Sequence, residues 1–110
     1  MRFAKSSEYK VIITRNAKVQ LAQILRYLRQ DLENEQAARN VKEDISETKL
    51  RLSHIAGSLK LCENPRLRSL EYRTIHLKHH RYFMLYKIIG NIVRVDGVYH
   101  DLQDYENFFE

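Results

Sequence analysis

Residues 81–95 carry the clearest structural pattern in the chain, and they read RYFMLYKIIGNIVRV. Two apolar runs, rich in aromatic and β-branched residues, flank the pair Gly90-Asn91. Glycine and asparagine tolerate the positive φ angles of the primed turns, whose twist matches that of the strands they connect. The pattern therefore predicts a β-hairpin, with one strand over residues 81–88 and the next over residues 92–100.

The second of these strands contains a pair of turn-type residues, Asp96-Gly97, where the pattern otherwise places apolar side chains. Such a pair inside a strand is typical of an extra residue on one side of an antiparallel ladder. We therefore predict a β-bulge at Asp96-Gly97.

Two further strands are predicted earlier in the chain. Residues 9–13, YKVII, are β-branched and aromatic, which favours a strand. Residues 70–77 show a weaker pattern of the same kind, and residues 78–80, KHH, form the turn into the hairpin. Residues 57–69 hold the only proline together with mixed charges, so they are predicted as a loop.

Two apolar stripes at helical spacing lie between the first two strands. The first stripe is Ala17, Leu21, Ile24, Leu25, Leu28 and Leu32, and the second is Ala38, Val41, Ile45, Thr48, Leu52 and Ile55. Thr14 or Asn16 can cap the first helix, and Asn34 can cap the second. Because the connection between the helices is short, residues 16–56 are predicted to form an antiparallel helical hairpin.

The predicted element order is β-α-α-β-β-β, in a single domain that spans residues 1–110. Both apolar stripes need burial, so the helical hairpin must cover one face of the sheet. The predicted fold class is therefore α+β, with a helical hairpin packed on a mainly antiparallel four-stranded sheet.

Composition favours a small cytoplasmic domain with an acidic partner. The chain has 110 residues, 44 % of them apolar, and no apolar run suits a transmembrane helix or a secretory leader. Cys62 is the only cysteine, so no internal disulfide can form, as expected in a reducing cytosol. Lys and Arg outnumber Asp and Glu by 19 to 14, and the net charge of +5 suits nucleic acid or an acidic protein.

Basic and histidine residues cluster around the third predicted strand. The cluster is Arg73, His76, Lys78, His79, His80 and Arg81, interleaved with Tyr72 and Tyr82. Cations among aromatic rings can neutralise phosphates and stack bases, which predicts a nucleic-acid or target-binding surface. The alternative is a solvated strand edge, whose charges prevent edge-to-edge pairing. The histidines have no cysteine or carboxylate at ligand spacing in the sequence, so we expect no metal and no other cofactor.

His100 is the strongest candidate for acid–base chemistry. It ends the last predicted strand, next to Asp101 and close to Asp104 and Tyr105. A histidine in that setting can act as a general base near neutral pH, although it can also be a hydrogen-bonded structural residue. The sequence lacks a Gly-rich phosphate loop and a GxSxG motif, which argues against a phosphotransferase or a serine hydrolase.

Several short motifs follow one another in a characteristic order between residues 9 and 108. They are YKVIIT at 9–14, the capped helix with Leu21 and Ile24, EQAA at 35–38, Pro65, Arg73, RYFMLYKI at 81–88, VYH at 98–100 and DYE at 104–106. Their order and spacing resemble the RelE/ParE superfamily, the toxins of bacterial type II toxin–antitoxin modules. The resemblance implies growth inhibition, a role in plasmid stabilisation, a cognate antitoxin as partner, and contact with operator DNA only through that antitoxin.

The superfamily has two branches with different targets. RelE-like members cut mRNA in the ribosomal A site without a metal, with the 2′-hydroxyl as nucleophile, whereas ParE-like members poison DNA gyrase. RelE-like nucleases usually carry an arginine just after the aromatic residue that Tyr82 matches, and here that position is Phe83. The long, uninterrupted helical hairpin also looks ParE-like, so the resemblance favours a gyrase poison.

Two alternatives stay open at this point. If the protein is a ribosome-dependent mRNA endoribonuclease, the resemblance implies that His100, Arg81 and Tyr105 carry catalysis. If it is a non-toxic regulatory module on the same scaffold, its basic residues bind nucleic acid without arresting growth.

Overall fold

The computed structural model describes residues 8–103. In chain order the elements are β1 (Lys10–Ile13), α1 (Arg15–Arg26), α2 (Glu35–Ile55), α3 (Pro65–Ser69), β2 (Tyr72–His76), β3 (Tyr82–Ile89) and β4 (Ile92–His100). A π-helical turn (Tyr27–Asp31) follows α1, and a 3-10 turn (Ala56–Ser58) follows α2. This order is the predicted β-α-α-β-β-β with one short helix added.

The four strands form one sheet in the order β1-β4-β3-β2. β2 pairs antiparallel with β3, and β3 pairs antiparallel with β4, whereas β1 pairs parallel with β4. Parallel partners need a long connection, and here every other element of the fold lies between them in the chain. The predicted α+β fold is confirmed, with a sheet that is mixed because of β1.

The hairpin of β3 and β4 turns at the predicted pair. Ile89 is paired with Ile92, so Gly90 and Asn91 alone form the turn. Gly90 has a φ of +62°, in the left-handed region that glycine occupies without steric cost.

The predicted bulge in β4 is also present. Leu85 pairs with Gly97, but the next residue of β3, Tyr86, pairs with Val95. This shift leaves Asp96 as the extra residue on β4, and it confirms the prediction at Asp96-Gly97.

Both long helices begin at side-chain caps that the sequence predicted. Thr14 Oγ1 accepts a 3.2 Å hydrogen bond from the Ala17 N–H, and Asn34 Oδ1 accepts a 2.9 Å bond from the Ala37 N–H. Each bond satisfies an N–H group that has no partner inside its helix.

The first helix of the hairpin is less regular than predicted. α-Helical hydrogen bonding ends at Arg26, and the Leu32 N–H then donates a 3.1 Å bond to the Tyr27 carbonyl five residues back. This wider turn inserts a residue into the helical repeat, so Leu32 rotates off the apolar stripe and is exposed. The expectation of an uninterrupted hairpin, with Leu32 in its apolar stripe, was therefore wrong.

The prediction of a loop over residues 57–69 was wrong at its end, where α3 forms. Asn64 Oδ1 accepts a 3.0 Å hydrogen bond from the Leu67 N–H, and Pro65 occupies the first helical turn. A proline is favoured there because its missing N–H would have no helical partner. β2 also begins later than predicted, since Glu71 has a φ of +67°, which is incompatible with a strand.

Side chains on the two faces of the sheet enter two separate cores. The main core lies under the helical hairpin and includes Ala17, Leu25, Val41, Ile45, Leu52, Met84, Tyr86, Val93 and Val95. The second, which we call the minor core, contains Cys62, Leu67, Tyr72, Phe83, Leu85 and Tyr99. Alternation along β3 explains the division, because Met84 and Tyr86 point to one face and Phe83 and Leu85 to the other.

Candidate functional site

The fold gives the residues of the predicted basic cluster three different sets of partners. Arg73 contacts the turn that follows α2. His79 and His80 contact a carboxylate on α2 itself. Arg81 lies beside Asp101, at the end of the hairpin where β3 begins and β4 ends. Lys78 is exposed in the turn between β2 and β3.

Arg73 is engaged with backbone oxygens. Its Nη1 donates to the Gly57 carbonyl at 3.2 Å and, more closely, to the Leu59 carbonyl. These carbonyls belong to the segment between α2 and β2, so the guanidinium fastens that segment to the sheet edge. A target-binding role for Arg73 stays a prediction, and its structural role is an additional finding.

His100 lies where β4 ends and faces Tyr82 on the neighbouring strand. The two rings meet edge to face, with centroids 5.3 Å apart. The Leu102 N–H donates a 3.1 Å hydrogen bond to His100 Nδ1, which assigns the proton of the neutral ring to Nε2. This bond occupies Nδ1, the nitrogen without a proton, so the neutral ring is fixed in orientation and offers an Nε2–H donor to its surroundings.

A cavity of about 420 Å³ opens beside His100, between α1 and β4. Its walls include Gln20, Gln23, Tyr27 and Tyr82. With Gln103, five polar side chains line the cavity in addition to the histidine, so it is suitable for a polar ligand or a partner side chain.

Asp101 organises the remaining charges at this end of the sheet. Its carboxylate lies 3.4 Å from His76 Nδ1 and 3.9 Å from Arg81 Nε, and its N–H donates a 2.9 Å bond to the Arg81 carbonyl. His100 and Arg81 thus lie at the same end of the β3–β4 hairpin. Tyr105, the third candidate for catalysis, lies outside the described residues, as do Asp104 and Phe108.

Asp44 is a buried carboxylate that sequence reasoning missed. Its Oδ2 accepts a 2.9 Å hydrogen bond from the His79 N–H and lies 2.7 Å from His80 Nδ1. Burial raises the pKa of this carboxyl, but the hydrogen bonds and charges of His80 and His79 outweigh it, so the pKa is lowered overall. The sequence did indicate a buried acid here, because Asp44 falls on the apolar stripe of α2, between Val41 and Thr48.

A second polar group was also missed, on the face of the minor core. Arg94 makes two hydrogen bonds, of 2.8 and 2.9 Å, to the carboxylate of Asp96. The Tyr72 hydroxyl donates a 2.6 Å bond to the same carboxylate. Burial, together with the Asp96 charge, raises the pKa of Tyr72. Arg94 on β4 and Tyr72 on β2 together hold the side chain of Asp96, the extra residue of the bulge, so these bonds stabilise the fold.

Within residues 8–103, no helix combines the length and the apolar character needed to cross a bilayer.

The fold is a small α+β domain in which a helical hairpin covers one face of a mixed four-stranded sheet, and a solved structure shares it. A solved structure described as a chromosomal ParDE toxin–antitoxin system from P. aeruginosa matches with a TM-score of 0.70 and 20 % sequence identity. The match covers 86 % of this chain and 98 % of that one, and at this identity it shows a shared fold. No curated protein sequence matches the chain.

The family follows from the sequence itself. The family model described as the ParE toxin of the type II toxin–antitoxin system parDE matches residues 11–105. The chain belongs to the ParE toxin family, which confirms the resemblance to the RelE/ParE superfamily and its ParE branch.

Proposed function

We propose that this ParE-family toxin arrests bacterial growth by acting on DNA gyrase. The observation that carries the proposal is the family match over residues 11–105, since ParE-like members of the superfamily are the gyrase poisons. Poisoning of gyrase is a protein–protein event, and it requires a stable, shaped surface more than a proton-transfer site.

The environment of Phe83 supports gyrase over mRNA as the target. Its side chain is 4 % exposed in the minor core, and its ring centroid lies 5.8 Å from that of Tyr99. A cation at a developing phosphate charge is worth about 3 kcal/mol in the transition state, by analogy with an oxyanion-hole donor. Phe83 cannot supply that charge, and its buried position serves packing.

The surroundings of His100 favour mRNA cleavage as a second candidate function. The ring is oriented through Nδ1, it lines a cavity, and it shares one end of the hairpin with Arg81. Metal-free cleavage by a 2′-hydroxyl requires a general base and a cation. Arg81 can supply the cation, and His100 becomes a base when the Leu102 N–H releases Nδ1.

We further propose that an antitoxin of the ParD type neutralises the protein. The solved relative belongs to a ParDE system, and the net charge of +5 suits an acidic antitoxin segment. The exposed cations Lys78 and Arg81 lie close together in the chain and offer that segment a charged contact, whereas the exposed side chains of Val19 and Tyr27 offer an apolar one. Operator DNA is contacted only through the antitoxin.

Induced expression of the full chain tests the target. We expect growth arrest, inhibition of gyrase supercoiling by the purified protein, and no ribosome-dependent cleavage in primer extension on cellular mRNA. His100→Ala should leave much of the toxicity intact, and removal of residues 105–110 should reduce it. His54→Ala, which removes an exposed histidine of α2, is the matched control.

Two results would contradict the proposal. Loss of a general base typically lowers a rate by about 10²–10⁴-fold. Discrete mRNA cleavage that disappears in His100→Ala would therefore establish the nuclease and assign catalysis to His100 and Arg81. Normal growth of cells that accumulate the folded protein would instead favour the non-toxic regulatory module.

A further inference from the structure

We propose that Asp44, Glu47 and His79 form a binding site for Zn²⁺ that joins α2 to the turn between β2 and β3. The proposal does not depend on which target the toxin has, although His79 also belongs to the basic cluster predicted to bind a target, and it joins two carboxylates of α2 to a histidine far away in the sequence. In the sequence the histidines of residues 76–80 have no carboxylate at ligand spacing, whereas the fold brings two carboxylates of α2 against them.

The distances suit a metal ion. One ligand atom from each of Asp44, Glu47 and His79 lies within 4.8 Å of the other two, and His79 Nε2 is 3.9 Å from Glu47 Oε1. Zinc–oxygen and zinc–nitrogen bonds of about 2.1 Å in a tetrahedron place ligand atoms about 3.4 Å apart. The side chains of Glu47 and His79 are 59 % and 66 % exposed, so rotamer changes can provide the remaining approach.

The state of Asp44 gives an independent reason to expect a cation. Its side chain is 1 % exposed, and Oδ1 has no hydrogen-bond partner among residues 8–103. A buried carboxylate oxygen without a partner is costly, and the cost is removed when the carboxylate ligates a metal. Asp44 also lines a cavity of about 370 Å³ together with Glu47, His79 and His80, so there is room for the ion and a water.

His80 acts on the site through Asp44. Its Nδ1 lies 2.7 Å from Asp44 Oδ2, and the His79 N–H donates a 2.9 Å bond to the same oxygen. Hydrogen bonds of this kind orient a ligating carboxylate and commonly matter 10–100-fold for metal affinity, by an order-of-magnitude rule. His80 is therefore a positioning residue, with Asp44 as the fixed ligand and the two exposed side chains as the ligands that close on the ion.

The donor set selects the metal. One imidazole and two carboxylates, with a water in the fourth position, match the mixed nitrogen and oxygen sites of Zn²⁺. Mg²⁺ and Ca²⁺ prefer oxygen ligands throughout, so they should bind this site poorly. The single cysteine, Cys62, belongs to the minor core on the other face of the sheet and takes no part.

The test uses the full chain, free of any affinity tag and stripped with EDTA, in calorimetric titration and thermal unfolding with ZnCl₂. We expect one Zn²⁺ per chain. Free Zn²⁺ at tenfold its Kd should raise Tm by about 5–10 °C, reversibly with EDTA, while MgCl₂ should have no effect. His79→Gln and Glu47→Gln should each weaken binding at least about tenfold, and His80→Gln should weaken it about 10–100-fold.

His76→Gln is the matched control, since it removes an exposed histidine that contacts Asp101 instead. Both ligand variants change exposed side chains, so a folded protein is expected in each case, and the melting curve without metal verifies it. Absence of a Zn²⁺ heat signal, or binding that His79→Gln and Glu47→Gln leave unchanged, would overturn the site. Neither readout involves growth arrest, so the result is separate from that of the gyrase test.

Discussion

The Tyr72 hydroxyl donates a 2.6 Å hydrogen bond to the Asp96 carboxylate, although the two residues lie on strands that are not neighbours in the sheet. The bond passes over β3, which separates β2 from β4. Asp96 is the extra residue of the bulge, so it has no partner of its own on β3. The bulge thus directs a carboxylate to a hydroxyl two strands away.

Loss of this bond should destabilise the protein measurably. Tyr72→Phe removes the donor, and we expect a decrease in the free energy of unfolding of about 1 kcal/mol. Asp96→Ala should cost more, about 1–3 kcal/mol, because it also leaves the Arg94 guanidinium without its carboxylate. Urea denaturation followed by circular dichroism measures both.

Exposed residues of the same types serve as controls for that pair. Tyr27→Phe and Asp31→Ala each change an exposed side chain near the end of the first helix, and we expect neither to matter for stability. Equal effects in the Tyr72 and Tyr27 variants would show that the hydroxyl of Tyr72 contributes nothing.

Leu25 should be among the leucines that contribute most to stability. It is buried in the main core, and Leu25→Ala removes apolar contacts and leaves a cavity, for a cost of about 2–5 kcal/mol. Leu50→Ala changes a leucine that is 65 % exposed on α2, and we expect little effect. A chemical denaturation curve for each variant makes the comparison, and similar midpoints would mean that Leu25 is not a core residue.

Tyr86 should make stability fall in alkaline solution. Its hydroxyl donates a 2.8 Å bond to the Ala56 carbonyl inside the main core, and burial raises its pKa well above the ordinary value of 10.0. The folded protein keeps this phenol neutral at a pH at which the unfolded chain ionises it. The unfolded state then binds fewer protons, so the contribution of Tyr86 to stability is fully present below about pH 10 and declines above it, by at most about 1.4 kcal/mol per pH unit for each such tyrosine.

Urea midpoints measured between pH 8 and pH 11 test this dependence. Tyr86→Phe should flatten the alkaline decline in part, while lowering stability at pH 8 because the Ala56 carbonyl loses its donor. Tyr27→Phe, which removes an exposed hydroxyl, should keep the full decline. If the urea midpoint of Tyr86→Phe fell with pH as steeply as that of the unsubstituted protein, the alkaline sensitivity would come from other groups.

Charge reversal at the turn before β3 should weaken neutralisation by the antitoxin. In the double variant Lys78→Glu and Arg81→Glu, an acidic antitoxin segment meets two repulsive charges, and we expect binding to weaken by about tenfold or more. Affinity is measured by titration with the product of the adjacent gene, and rescue of growth by co-expression. Lys60→Glu, an exposed cation beside the minor core, should bind normally, and equal losses in both proteins would assign the effect to net charge.

Local chemistry explains what could be predicted from the sequence. Gly90-Asn91 tolerates positive φ, Thr14 and Asn34 offer capping oxygens, and Asp96-Gly97 breaks an apolar pattern. Each signal depends only on residues within a few positions of one another. The hairpin turn, the start of the second helix and the bulge were therefore predicted at the correct residues, and the first helix begins after Thr14, one of the two caps that the sequence offered.

The features that were missed depend on distant residues or on small differences in backbone geometry. Asp44 and His80 lie 36 positions apart, so no spacing rule reveals their contact. The π-helical turn at Tyr27–Asp31 preserves every composition cue of an ordinary helix. α3 could have been found, because Asn64-Pro65 is a capping residue followed by a proline suited to a first helical turn.

The parallel pairing of β1 with β4 has a consequence for the order of folding. Lys10 is paired with Ile92, and Ile13 with Val95. The hydrogen bonds between β1 and the sheet can therefore form only after β4 has been synthesised. Contacts between such distant segments carry a large loop-closure cost and slow the folding of small domains. A nascent chain that stops before residue 92 leaves β1 unpaired and the apolar side of the helical hairpin uncovered. We expect synthesis interrupted there to yield an aggregation-prone fragment in place of a folded toxin.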